Sequence, residues 1–305
     1  MDRLGEPAPP PSHRHPVNDT MFRSIREPAV AGLFYPAERD VLARDVDAML
    51  AAALARLDDR SRRARMLVSP HAGYAYSGAV AARGFALLDP GAIDSVVLVG
   101  PSHTDAFTFT SVFDGDAYAT PLGTLAVDGE AARQLELAHS SIRRSQRGHV
   151  AASGRGEHGL EVILPFVQRV CGTPSIVPIV MGTQNWDSCV ALGRAIAETV
   201  DLERSLLVAS SDLSHFYAYD EAVRKDSAFC ELLAGLDAAR LHEALRSGSC
   251  EACGAGPVIA TVLATELWRD RRCQILARTN SGDVTGDRGS VVGYASAVVT
   301  TPLPS

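Results

Sequence analysis

The chain has 305 residues, 46% of them hydrophobic, and a formal net charge of −7 with acidic and basic residues interspersed. That length supports one large or two ordinary cores, and the lack of a basic stripe argues against nucleic acid or an anionic membrane surface as partner. No apolar run reaches the roughly 18 residues of a membrane span, and six cysteines spread along the chain do not make a disulfide framework.

The first 22 residues are Pro-rich and polar and lack the apolar centre of a signal peptide. They read as a disordered tail ahead of one domain over residues 23–302, in a cytoplasmic protein with reduced thiols. A helix follows Pro36: in AERDVLARDVDAMLAAALARL, Leu42, Val46, Met49, Leu50 and Leu54 recur at helical spacing. RARMLVS is a strand, YSGAVAARGFALL a small-residue helix, and DSVVLVG a second strand. FTFTSVFDGDAYATPLGTLAVD alternates around Asp-Gly and Pro-Leu-Gly turns and reads as antiparallel strands. The basic stretch SIRRSQRGH reads as a solvated loop, and His139, His149 and His242 as surface residues. GLEVILPFVQRV sets Leu160, Ile163, Leu164 and Val167 on one helical face.

Strand SIVPIVMG, helix WDSCVALGRAIAETV and strand SLLVAS come next. A long helical region from Glu221 to Leu245, a helix in PVIATVLATELWRD and a closing strand in GSVVGYASAVV complete the chain. Short strands made almost wholly of Val, Ile and Leu are buried on both faces, with helices as covers. The expected fold is therefore α/β: a single domain around one mostly parallel sheet, helices on both faces, and antiparallel additions.

Three of these strands end in the same way. MLVSPHAGY delivers His71, VVLVGPSHTD delivers His103, and LLVASSDLSH delivers Asp212 and His215. Ligands of open α/β sheets bind beyond the carboxyl ends of the strands, and neighbouring strands lie about 4.8 Å apart, so these side chains can meet in one cleft. Taken singly, each has a plainer reading. A histidine after a strand is commonly a hydrogen-bonded loop residue, Asp212 suits the N-cap of a turn in SSDLSHF, and His158 in GEHGLEV suits a helix start. The coincidence of three strand ends favours a site.

Cys253, in CEACGAGPVIATVL, precedes Gly254 and a helix. The positive potential of a helix N-terminus is expected to lower its thiol pKa and favour a metal-binding thiolate; the plainer reading is a buried apolar thiol. Cys250 makes a C-x-x-C with it, but no second pair has zinc-finger spacing. That leaves Cys250 as half of a redox pair or as an inert core residue.

The motifs GLFYPA, SPHAGYAYSG, VVLVGPSHTD, YATPLGTLAVD, EHGLEVILPF, SSDLSH, CGAGP and GDRGSVVGYASA occur in the order seen in the Memo family. The resemblance covers nearly everything from Ile25 to Val299. The family fold resembles the class III ring-cleaving non-haem iron dioxygenases (LigB-like), again an α/β architecture. What the resemblance implies is a mononuclear metal site with His71, His103 and Cys253 as ligands and His158, Asp212 and His215 as acid–base candidates. The usual serine after E-H is Gly159 in this chain, and animal members carry Arg-His after C-G where Ala255-Gly256 stand. Prokaryotic members are named together with a radical-SAM protein and a third small component, which are the implied partners beside a small-molecule or peptide ligand.

Two imidazoles and one thiolate leave coordination positions open, a catalytic layout rather than a closed structural one. Thiolate softness suits Fe(II), with Cu(I) or Zn(II) as alternatives, and disfavours Mg or Ca. Compared with two histidines and a carboxylate, the cysteine keeps the single negative charge and softens the site. Three readings follow. The first is a metal-dependent, dioxygenase-like oxidoreductase in which His215 or His158 moves a proton. The second is a non-catalytic module recognising a peptide or partner protein, with Tyr74, Tyr76, Phe107, Phe216 and Tyr217 as a candidate aromatic rim. The third is a zinc hydrolase, which ranks lowest because neither H-E-x-x-H nor G-x-S-x-G is present.

Overall fold

Apolar alternation decides which side each element faces, and the computed structural model shows the result for residues 22–56, 61–150 and 156–303. Apart from Phe22, the expected tail lies outside the described residues. Strand β1 (Ile25–Arg26) precedes helix α1 (Arg39–Leu54), whose Leu42 and Val46 are fully buried, with Met49 and Leu50 packed beside them. β2 (Arg62–Ser69), α2 (Tyr74–Phe85) and β3 (Ser95–Pro101) follow as expected. Then come β4 (Thr110–Phe113), β5 (Ala117–Thr120), β6 (Gly123–Ala126), α3 (Gly129–Ala138) and β7 (Ile142–Ser145). After a turn of 3-10 helix at Glu161–Ile163, α4 (Leu164–Cys171), β8 (Ser175–Met181), α5 (Trp186–Thr199) and β9 (Ser205–Ser210) alternate. The chain closes with β10 (His215–Tyr217), α6 (Tyr219–Ala234), α7 (Ala238–Arg246), α8 (Ala255–Ala264), β11 (Arg272–Asn280), α9 (Ser281–Thr285) and β12 (Val291–Pro302).

Among the described residues nine strands form one sheet in the order β10-β12-β2-β9-β3-β8-β4-β7, with β11 also on β12. Its centre, β2-β9-β3-β8, is parallel. β12 runs antiparallel to β2, β10 and β11, and β4 runs antiparallel to β8 and parallel to β7. The sheet is thus mixed rather than mostly parallel. Connection length explains part of this: β11 and β12 are joined by residues 281–290 with one short helix, too little for the crossover that parallel neighbours need. The expected antiparallel pair β5–β6 forms, but in a separate three-stranded sheet with β1.

Side chains alternate between two cores, one on each face of the main sheet. From β3, Val97 and Val99 join Leu192 and Ile196 of α5 and Val258 and Val262 of α8. Val96 and Leu98 join Phe85 of α2 and Phe166 of α4 on the other side.

Three stretches differ from their sequence expectation. The basic stretch read as a loop contains β7, an edge strand on which arginines are tolerated because one side meets solvent. The helical region from Glu221 to Leu245 is two helices, broken at Gly235-Leu236-Asp237, where Leu236 has φ 52° and Asp237 caps α7 by accepting the Arg240 N–H. The helix after Pro257 stops at Ala264 rather than continuing towards Asp270. No helix among the described residues is long and apolar enough to cross a membrane.

Gly193 lies where α5 crosses α8: a Cβ there would fall 2.7 Å from Leu263 Cβ and 2.8 Å from the Ala260 carbonyl oxygen. Gly193→Ala is therefore expected to destabilise the protein by about 1–3 kcal/mol through overpacking. Urea unfolding should show a lower midpoint; an unchanged midpoint would contradict the close crossing.

Candidate metal centre

Parallel pairing brings three chain exits to one edge of the sheet. β2 pairs with β9 up to Ser69 opposite Ser210, and β3 pairs with the other side of β9. β2 then delivers His71 through Pro70, β3 delivers His103 through Ser102, and β9 runs on into Ser211 and Asp212. The turn before α8 supplies Cys253 from a fourth direction. One ring nitrogen each of His71 and His103 and the Cys253 sulfur lie within 4.8 Å of one another. His71 is 1% exposed, and its Nε2 sits 3.3 Å from Cys253 Sγ.

Each ligand atom is aimed by a partner on its far side. His71 Nδ1 lies 2.7 Å from Ser210 Oγ, and its backbone N–H donates to Asp212 Oδ1 at 2.8 Å. His103 is gripped twice by Glu157: the backbone N–H donates to Oε2 at 2.6 Å, and Nδ1 lies 2.7 Å from Oε1. With both Nδ1 atoms engaged, the Nε2 lone pairs are left for an ion. The Asp212 N–H donates to Cys253 Sγ at 3.2 Å while the Cys253 N–H donates to the Asp212 carbonyl at 3.2 Å. Tetrahedral bonds of about 2.0 Å to nitrogen and 2.3 Å to sulfur would set those atoms about 3.5 Å apart. The 3.3 Å between His71 Nε2 and Cys253 Sγ fits that spacing. The donor set suits a transition metal and not Mg or Ca.

Electrostatics support neutral imidazole at His71, where burial and then the neighbouring His103 lower the pKa to about 3. At Cys253 burial, reinforced by the Asp212 charge, pushes the thiol above its usual range. This corrects the expectation of a lowered value. Hydrogen bonds from Ser211 and the Gly254 N–H favour the thiolate, but burial outweighs them, and the Gly256 N–H is committed to Gln184 Oε1 at 2.6 Å. A thiolate in this position needs a cation in the proton's place. Burial opposes ionisation of Glu157, but the hydrogen bonds and charge of His103, with the Gly159 N–H, outweigh it and hold the carboxyl at about 2. Burial likewise opposes the charged form of His103, and Glu157 overcomes it and raises the pKa.

The other expected residues surround this cluster. The His158 ring is 4.5 Å from that of His103 and 5.4 Å from that of His71, and burial, then His71, lowers its pKa to about 4. Asp212 is not a helix N-cap, because residues 211–214 form no helical turn. Its carboxyl is pushed up to about 6 by burial, and Oδ2 lies 4.0 Å from His71 Nε2. The His215 Nδ1–H donates to the Leu213 carbonyl at 2.8 Å, and Nε2 has no hydrogen-bond partner among the described residues. His158, Asp212 and His215 line a cleft of about 550 Å³ with Phe34, Tyr76, Tyr294, Asp287 and several hydroxyl side chains. Of the expected aromatic rim, Tyr76 and Phe216 are exposed, Phe107 is buried, the Tyr74 hydroxyl donates to the Val162 carbonyl, and the Tyr217 hydroxyl donates to Glu251.

Sequence reasoning missed Glu157, although an acid directly before a motif histidine was the available signal. It also missed what holds Glu157. Glu161 is fully buried and accepts from the Ala29 and Val30 N–H groups at 2.8 and 3.0 Å, from the Tyr35 hydroxyl, and from Arg26. Arg26 in turn donates to the Glu157 carbonyl. His149 is not a surface residue: it is 0% exposed, with Nδ1 2.6 Å from the Tyr118 hydroxyl and Nε2 3.0 Å from the Ser111 carbonyl. His242 is half-buried beside the Trp186 ring, and His139 is exposed. Cys250 is 1% exposed within the apolar core, and both it and Cys253 are free thiols.

This geometry defines an α/β protein with a candidate mononuclear centre at its strand ends. A family model described as Memo-like protein matches residues 26–298. The chain is 37% identical over 282 residues to a MEMO1 family protein of Methanosarcina acetivorans, covering 90% of this chain and 99% of that one. It is likewise 37% identical over 289 residues to a MEMO1 family protein of Thermotoga maritima, covering 90% and 99%. The chain belongs to the Memo family. A crystal structure of an uncharacterized Escherichia coli K12 protein is similar at TM-score 0.44 and 14% identity over 77% of this chain and 100% of that one, too little to bear on fold or function.

Burial lowers the His149 pKa to about 3, so the folded state stays neutral there while the unfolded chain takes up a proton near pH 6.5. Stability is therefore lost as pH falls from about 6.5 towards 3, by up to about 1.4 kcal/mol per pH unit from this one group. His149→Gln should make urea stability less steep in that window; an unchanged slope would contradict a buried neutral imidazole.

Proposed function

We propose that this protein is a mononuclear metal-dependent oxidoreductase acting on a small molecule bound in the cleft beside the strand ends. One observation carries the reading: two ring nitrogens and a sulfur from three separate chain segments lie within 4.8 Å, with both imidazoles anchored at Nδ1. Fe(II) is the first choice for this donor set, and Cu(I) or Zn(II) the alternatives. When bound, the ion supplies Lewis acidity and, for iron or copper, electron transfer.

The chain's own residues do the rest. Ser210 and Glu157 fix the orientation of the two imidazoles, and the Asp212 backbone fixes the thiol. His215, with its Nδ1–H committed to Leu213, offers Nε2 as a proton acceptor at the cleft. His158, held neutral by burial, stands over the His103 ring as a second proton carrier. Phe34, Tyr76 and Tyr294 line the approach to them. A dioxygenase-like reaction is the form the family resemblance suggests.

A second reading, recognition of a protein partner such as a radical-SAM protein, draws support from Leu33 at the cleft and Phe216 beside His215, exposed at 80% and 76%. A His71→Ala/His103→Ala variant that still bound such a partner would favour it over catalysis.

Protein purified without oxygen should contain one transition-metal ion per chain by elemental analysis, and Cys253→Ser should reduce this below about one tenth because a ligand is lost. Glu157→Gln should weaken metal affinity by about 10–100-fold, the usual effect of removing the group that orients a ligand. Protein free of metal, with a melting temperature unmoved by Fe(II) or Cu(I), would overturn the proposal.

A further inference from the structure

We infer that the cleft takes a cation, a small amine carrying an apolar or aromatic body, rather than a carboxylate or a phosphate. The inference rests on reading this cleft as the substrate site. Its first observation is Asp212, 4% exposed, which lines the cleft. Oδ1 accepts the His71 N–H at 2.8 Å, whereas Oδ2 has no hydrogen-bond donor among the described residues, its nearest ring nitrogen being His71 Nε2 at 4.0 Å. With no donor from the described chain on Oδ2, that oxygen is open to one from a molecule in the cleft, and an ammonium group supplies it with a charge-assisted hydrogen bond.

The rest of the cleft has the same preference. Asp287, exposed at the mouth of the cleft, contributes a second carboxylate, with Oδ1 accepting the Gly289 N–H at 2.9 Å. Phe34, Tyr76 and Tyr294 line the same cleft, and aromatic rings suit an ammonium better than an anion. No Lys or Arg is among the described lining residues. Arg288, the neighbour of Asp287, instead lies 4.3 Å over the Tyr219 ring. Asp212 and Asp287 are the acidic side chains of the described lining, while Glu157 is turned away towards His103. A field of that sign steers cations inwards and anions away.

The test is calorimetric titration with phenethylamine, phenylpropionate and phenethyl alcohol, three probes alike in size and different in charge. It is run on metal-loaded protein and on EDTA-treated protein, with metal content measured on the same samples. The amine should bind at least about tenfold tighter than either other probe in both forms, because the carboxylates belong to the chain and not to the ion. Asp287→Asn should weaken the amine by about threefold or more and leave the alcohol unaffected. Phenylpropionate binding as tightly as the amine, no amine binding at millimolar concentration, or indifference to Asp287→Asn would each overturn the inference. So would Asp212 acting as a ligand of the ion, which would abolish the amine preference in the loaded form alone. An absent metal with the amine preference intact would instead count against the metal proposal and leave this one standing.

Discussion

The parallel pairing of β2 and β3 on either side of β9 is the constraint from which the site follows. It fixes His71 and His103, far apart in sequence, at one edge of the sheet, and it carries Asp212 between them. Strand pairing sets position to within the spacing of neighbouring strands, but it does not aim a ring. Aim comes from hydrogen bonds at the atoms turned away from the cluster, Ser210 behind His71 and Glu157 behind His103.

Glu157 depends on a further layer. The segment that carries it is tied down by Arg26, whose guanidinium reaches both the Glu157 carbonyl and the carboxylate of Glu161. Arg26 and Glu161 are 2% and 0% exposed. A buried ion pair adds little net stability against an apolar substitute, yet removing one partner strands the other. Here its contribution is positional: the backbone around residues 157–161 cannot move without breaking several buried or part-buried hydrogen bonds. The ligand histidine is thus held through two successive carboxylates, the nearer one charged because His103 and Gly159 donate to it.

Much of this was legible in the sequence, for a physical reason. Strands such as VVLVG and LLVAS are buried on both faces, so their apolar runs are unbroken, and the polar residues that end them stand out. His71, His103, Asp212 and His215 were visible in that contrast. β11 and β7 were not, because RCQILARTN and IRRS carry arginines outward and have no apolar run to detect. Antiparallel additions were expected, but not that β12 would pair antiparallel with β2, β10 and β11, because strand direction depends on which strands become neighbours and a single strand's pattern does not encode that. His149 reads as a surface residue in sequence and is buried because Tyr118 and Ser111, from distant segments, supply its partners. The Cys253 thiol shows the opposite failure, a local rule about helix N-termini overridden by burial and by the Asp212 charge.

The coordination shell of the loaded protein tests the central claim most directly. X-ray absorption at the edge of the bound metal should show one sulfur at about 2.3 Å and two imidazole nitrogens at about 2.0–2.1 Å, with the sulfur shell lost in Cys253→Ser. A shell of oxygen and nitrogen alone, unchanged by that substitution, would mean that the three chain segments do not share an ion.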